Sequence, residues 1–256
     1  MYVDSHCHIH FPELRARLPE LLLDMAERQV SHALTVCVEL SELDAVLETA
    51  NAAPNLFASV GVHPDYEETA EPEVDELVRL ARHPKVIAIG ETGLDYYRLK
   101  GDLEWQRERF RRHIRAARQA GKPLIIHTRA AAADTIRILA EEGAAEVGGV
   151  MHCFTESLDV ARQAIELGFF ISFSGIVTFK NATALHEVAR EVPLEKMLIE
   201  TDSPYLAPTP YRGKTNEPAY VAFVGERIAA LKGLTAAQVG ATTTDNFFKL
   251  FNTISR

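Results

Sequence analysis

Short apolar, β-branched runs alternate along the whole chain with segments whose apolar positions recur every three or four residues. The runs fall at 2–6, 32–38, 56–62, 86–91, 123–127, 148–153, 168–174 and 197–202. Their near-continuous apolarity is that of strands covered on both faces. Helical periodicity predicts helices over 13–30, 41–53, 72–83, 102–121, 131–142, 157–167 and 181–191, then over 217–232 and 243–252 after the last strand. A helix-length crossover after each strand implies parallel pairing, and eight such units predict an α/β fold, a closed (β/α)8 TIM barrel. A doubly wound open sheet would need a glycine-rich phosphate turn after an early strand, and none is present. Pro19 sits inside the first helical segment and is expected to break or kink it near Leu18. No linker or repeat divides the chain, so residues 1–256 read as a single domain.

Composition narrows the function. The 47% hydrophobic and 25% charged content is that of an ordinary globular protein. No apolar run approaches the ~18 residues that cross a bilayer, and no basic leader with an apolar core opens the chain. A cytoplasmic location without membrane attachment is therefore expected. Cys7, Cys37 and Cys153 lie in apolar strand-like runs and read as reduced, buried thiols. A net charge of −9 argues against a protein that coats duplex nucleic acid through a broad basic surface. A compact site holding its own cations stays open.

A TIM barrel places its chemistry at the C-terminal ends of its strands. Read in turn, those ends supply His6 and His8, then Gly61-Val62-His63-Pro64, Gly90-Glu91-Thr92-Gly93, His127-Thr128-Arg129, Met151-His152-Cys153 and Glu200-Thr201-Asp202. His6 and His8 share one face of a strand, and neutral imidazole is the commonest metal ligand. Glu91, His127 and His152 each follow an apolar run, where an unpaired polar group would be costly. With Asp202 they make six metal-ligand candidates: His6, His8, Glu91, His127, His152 and Asp202. Glu200 reads as a carboxylate that orients a ligand. His63 reads as a substrate contact, since six better ligands exist.

The remaining polar residues read as structural. His10 and His32 are expected to be structural, His83 to cap a helix end, and His113 and His186 to lie on the surface. Cys7 and Cys153 are expected to face the helix layer. Arg107, Arg109, Arg111, Arg112, Arg115 and Arg118 read as the solvated outer face of helix 102–121, over a buried stripe of Phe110, Ile114 and Ala117. Arg212-Gly213-Lys214, after the last strand, is expected to form a basic rim with Arg129 and Lys180.

Four of these runs resemble the TatD deoxyribonucleases, metal-dependent hydrolases of the amidohydrolase-like superfamily. They are Asp4-Ser5-His6-Cys7-His8, Gly61-Val62-His63-Pro64, Ile89 through Tyr97, and Glu200 through Leu206. Met151 through Thr155 and Ile171 through Phe179 are similar to the YcfH-type branch. One departure is Ala130 after His127-Thr128-Arg129, where relatives often carry an acid. The resemblance implies two divalent ions (Mg, Mn or Zn), one on His6, His8 and Asp202, the other on His127 and His152, with Glu91 bridging. It also implies that Asp202 and Glu91 carry catalysis, Asp202 accepting the proton of an attacking water. Arg212, His63 and Arg129 would contact substrate. The implied substrate is DNA, single-stranded or at a 3′ end, cleaved by 3′–5′ exonuclease action with no obligatory protein partner. An amidohydrolase or lactonase using the same ions on a carbonyl is the alternative. A degenerate binding protein would have lost a ligand, and none is lost.

Overall fold

The computed structural model describes residues 1–256. Eight strands, β1 (Tyr2–Cys7), β2 (Val30–Thr35), β3 (Leu56–Val60), β4 (Val86–Asp95), β5 (Leu124–Arg129), β6 (Gly149–Met151), β7 (Phe169–Phe173) and β8 (Met197–Ile199), follow one another in sequence order. Every adjacent pair is parallel. Beyond its ladder, β8 returns to β1: Asp202 N donates to His6 O at 2.9 Å and His8 N to Ser203 O at 2.7 Å. The sheet is thereby a nearly closed barrel, ringed by α1 (Pro12–Arg15), α2 (Leu18–Glu27), α3 (Leu43–Asn51), α4 (Val74–Leu80), α5 (Glu104–Ala120), α6 (Ala132–Glu141), α7 (Leu158–Glu166), α8 (Thr183–Glu191), α9 (Val221–Lys232) and α10 (Ala236–Leu250).

The helical segment expected over 13–30 is broken at Ala16–Arg17, and Pro19 lies in the first turn of α2. There its missing N–H leaves no bond unmade. The helix expected from 243 begins at Ala236, because Thr235 caps it: Thr235 Oγ1 accepts from Gln238 N, and Gln238 Oε1 accepts from Thr235 N. The fourth strand runs four residues past its expected end at Glu91, to Asp95.

The barrel interior is filled at its N-terminal end by Val3, Leu34, Phe57, Ile125, Val150, Phe170 and Leu198, with Phe247, Leu250 and Phe251 of α10 packed onto them. A larger apolar layer joins the outer face of the sheet to the helices. One end of the barrel is thus sealed with apolar side chains, and polar chemistry is confined to the other.

Candidate metal centre

In β1, Val3 joins the interior cluster and Tyr2 the outer layer. A regular strand would then turn His6 outward, since residues an odd number apart face opposite ways. The ladder with β2 instead shifts between Asp4 and Cys7. Such a shift re-aims the residues beyond it, and His6 and His8 join the polar cluster while Cys7 packs in the outer layer. Asp4, fully buried, holds the shift in place: Oδ1 accepts from Thr201 N at 2.8 Å and from His6 N at 3.3 Å, and Oδ2 accepts from Thr201 Oγ1. Glycine serves the same end in β4. Gly93 has φ +140°, and a side chain there would meet His127 O at 1.9 Å. Only a residue without Cβ lets β4 press against β5 beside the site.

Glu91, 3% exposed, is the centre. Its Oε2 lies 3.3 Å from His6 Nε2. Its Oε1 lies 2.8 Å from His152 Nε2, 3.3 Å from His63 Nε2 and 3.4 Å from His127 Nδ1. On the Oε2 side, His6 Nε2 is 3.3 Å from His8 Nε2, and Asp202 Oδ1 is 3.5 Å from His8 Nε2 and 3.8 Å from His6 Nε2. All six expected ligands therefore meet at the mouth, and His63 stands among them.

The outer nitrogens decide what the inner ones present. His8 Nδ1 donates to Val36 O at 3.0 Å, His127 Nε2 to Asp95 Oδ2 at 3.1 Å, His152 Nδ1 to Glu200 Oε1 at 3.1 Å, and His63 Nδ1 to Asp65. In a neutral ring the second nitrogen then carries a lone pair. Those lone pairs point at one another and at carboxylate oxygens, an arrangement that a cation between them satisfies. His152 Nε2 is close to Glu91 but off the direction of a hydrogen bond, and it stays unpartnered in the buried site. Separations of 3.3–3.8 Å also suit neighbouring ligands around an ion with bonds of about 2.0–2.2 Å. The donor set fits divalent metal.

Protons compete for the same places. Burial opposes charge on His152, yet Glu91 and Glu200 raise its pKa well above the ordinary imidazole value. Burial likewise opposes charge on His63, but Glu91 and Asp65 lift it to about 9. For Glu91, burial is outweighed by the imidazoles of His152, His63 and His6, which hold it well below the usual carboxylate range. Burial favours neutral Asp202 too, but the imidazole of His8, 3.5 Å away, and those of His6 and His152 lower it.

A cavity of about 500 Å³ opens above these groups. Arg129 lies on its rim, with its guanidinium 3.9 Å over the Tyr97 ring, and Phe11, Tyr66 and Tyr205 line it too. Arg212 does not line it; its guanidinium stacks 4.1 Å over Phe179. Three groups that the sequence reading passed over do belong here: Asp65, Arg98 and Asp95. Asp95 stands four residues past Glu91 on β4, where strand alternation points to it, whereas Asp65 lies in the loop beyond β3, where no periodicity marks it. Other expectations are corrected. His113 and His186 are buried rather than superficial, because each ring bonds a backbone group. Arg109 is 1% exposed, not part of a solvated face, because its guanidinium spans Glu71 and two carbonyls. Cys153, expected to face the helices, lines the cavity, its Sγ 3.2 Å from Ser174 Oγ.

Residues 3–252 match a family described as TatD related DNase. An Escherichia coli (strain K12) protein named "Uncharacterized metal-dependent hydrolase YcfH" is 46% identical over 253 residues, spanning 98% of this chain and 95% of its own. "Uncharacterized metal-dependent hydrolase YabD" of Bacillus subtilis (strain 168) is 40% identical over 252 residues, spanning 98% and 99%. Among solved structures, YJJV, described as a TatD homolog from Escherichia coli K12, superposes with a TM-score of 0.91 at 28% identity, covering 98% of each chain.

Proposed function

The chain belongs to the TatD-related DNase family of metal-dependent hydrolases, and from that premise we propose that it cleaves phosphodiester bonds of DNA with two ions, working inward from a 3′ end. The observation that carries this reading is the convergence of inner imidazole nitrogens on the two oxygens of one buried glutamate. Glu91 sets one oxygen 3.3 Å from His6 and the other 2.8 Å from His152 and 3.4 Å from His127, which is what a bridging ligand requires. Bound divalent ions would supply a water acidic enough to attack at neutral pH and positive charge for the phosphoryl oxygens.

The chain's own groups do the rest. Asp202, held ionised by His8 and His6 and partly open to the cavity, orients the attacking water and takes its proton. Arg129, with Arg98 and His63 lining the same cavity, neutralises phosphate oxygens. Arg212 is assigned to DNA beyond the cavity, its guanidinium held over Phe179. Ligands buried at the base of the cavity favour a flexible single strand or a free end over the middle of a duplex. A donor set of imidazoles and carboxylates favours Mn or Zn over Mg. Cys7 and Cys37, buried and unpaired, suit a reducing cytoplasm.

The test uses protein stripped of metal and reloaded with Mg, Mn or Zn. Substrates are 5′-labelled single strands, duplex DNA and a carboxylic ester. Metal-dependent laddering from the 3′ end supports the proposal; turnover of the ester with intact DNA refutes it.

A further inference from the structure

We infer that α5 is a positioning element for the His63–His127 side of the site, acting through Gln106, Arg109 and His113. These residues follow one another at spacings of three and four along one face of the helix. Each is at most 1% exposed. Polar side chains so buried need their bonds satisfied, and the partners here are informative. His113 Nε2 accepts from Val62 N at 3.0 Å, while its Nδ1 donates to Arg109 O at 2.8 Å. Arg109 Nη1 donates to His63 O at 3.2 Å and to Tyr66 O at 2.8 Å. Gln106 Nε2 donates to Pro64 O at 2.9 Å, and its Oε1 accepts from Asp95 N at 2.9 Å. Apart from the Glu71 ion pair and the bond inside the helix, the strong bonds end on the backbone around His63 or at the end of β4.

From those two anchors, side chains run back to the centre and meet. Asp95 Oδ2 accepts from His127 Nε2 at 3.1 Å, and Asp95 Oδ1 accepts from Tyr97 N at 2.9 Å and Arg98 N at 2.8 Å. The turn so formed presents Arg98, which donates to Asp65, and Asp65 accepts from His63 Nδ1. The path is closed: α5 to His63, Asp65, Arg98, Asp95 and α5 again. It matters because His63 follows β3 and His127 lies on β5, strands that are not neighbours in the sheet. No ladder joins those two strands directly to set the distance between the rings, whose centroids are 4.4 Å apart. The ring of contacts sets it, and with it the spacing of the nitrogens around Glu91 Oε1.

This inference rests on the two-ion reading, and the experiment separates the two. Metal-free wild type, Gln106→Met, Arg98→Met and Arg98→Lys are titrated with Mn by calorimetry. Gln106→Met removes both bonds at the helix. Arg98→Met opens the ring at a side chain that is 58% exposed, so the fold is not at stake. One of the two ions is expected to bind roughly ten- to a hundredfold more weakly in both variants, with the other unchanged and part of the loss restored by Arg98→Lys. Unchanged affinities, or equal loss of both ions, overturn the inference. Should wild type take up a single ion, the two-ion reading falls. Amide exchange of metal-free protein then decides: opening the ring at Arg98 is expected to speed exchange at His63 and Asp95, and unaltered protection overturns the inference.

Discussion

Glu200 offers the sharpest test of how the fold tunes the centre. Its side chain is fully buried, and Oε1 accepts from His152 Nδ1 at 3.1 Å and from Cys153 N at 2.7 Å, while Oε2 has no partner. Glu200→Gln keeps the shape and one acceptor oxygen but removes the charge. A hydrogen bond to a charged group contributes about 1.5–3 kcal/mol and a neutral one about 0.5–1.5 kcal/mol. The loss is therefore about 1–1.5 kcal/mol, or roughly tenfold in the affinity of the ion proposed to sit on His152. Glu200→Ala goes further, because it strands two buried donors at about 1–3 kcal/mol each, so a loss of at least roughly thirtyfold is expected. Competition against a chelator of known affinity measures both, with circular dichroism of the metal-free variants to verify the fold. Metal-free Glu200→Gln is also expected to carry His152 less protonated at neutral pH, since one of the two carboxylates that raise its pKa is gone. Fewer protons should then be released on metal binding, read from calorimetry in buffers of different ionisation heat. An affinity within twofold of wild type for both variants would refute the reasoning.

Asp202→Asn preserves shape but not basicity, so turnover should fall roughly 10²- to 10⁴-fold with the far-ultraviolet spectrum unchanged; near-normal rates across the pH range would exclude Asp202 as proton acceptor. Arg129→Ala, on the cavity rim, should cost roughly 1.5–3 kcal/mol on an oligonucleotide and little on a neutral ester. Arg212→Ala, outside the cavity, should instead act on long strands and flatten the salt dependence of binding; equal effects of the two on a dinucleotide would contradict the placement. His113 is buried neutral with its pKa pushed down to about 4, burial being the main cause. The unfolded chain takes that proton near 6.5. Its contribution is thus complete above pH 6.5 and is lost as the pH falls toward 4, roughly 3 kcal/mol in all. The stability of His113→Gln in urea should lack this part of the acid slope, and identical slopes would show that His113 does not titrate this way.

The amino-acid sequence by itself determined the number and order of the strands, the parallel barrel and the six ligand candidates. The reason is local: a strand covered on both faces must be apolar throughout, so a histidine or carboxylate closing such a run stands out without knowledge of its partners. Glu200 was legible as a ligand-orienting group for the same reason, sitting two residues before Asp202. What only the tertiary structure decided depends on partners far away in the chain. The ladder shift at Asp4–Cys7 that lets Val3 and His6 both face the interior is held by Thr201. Arg109 and His113 read as surface residues because a charged or polar position on an amphipathic helix faces water by default. Their burial follows from carbonyls and amides of the loop after β3, more than forty positions distant. Arg212 read as a rim residue because it follows the last strand, yet Phe179 draws its guanidinium away from the cavity. Sequence periodicity records which face of an element is apolar; it carries no record of which distant backbone group will satisfy a buried polar side chain, and that pairing is what shapes this site.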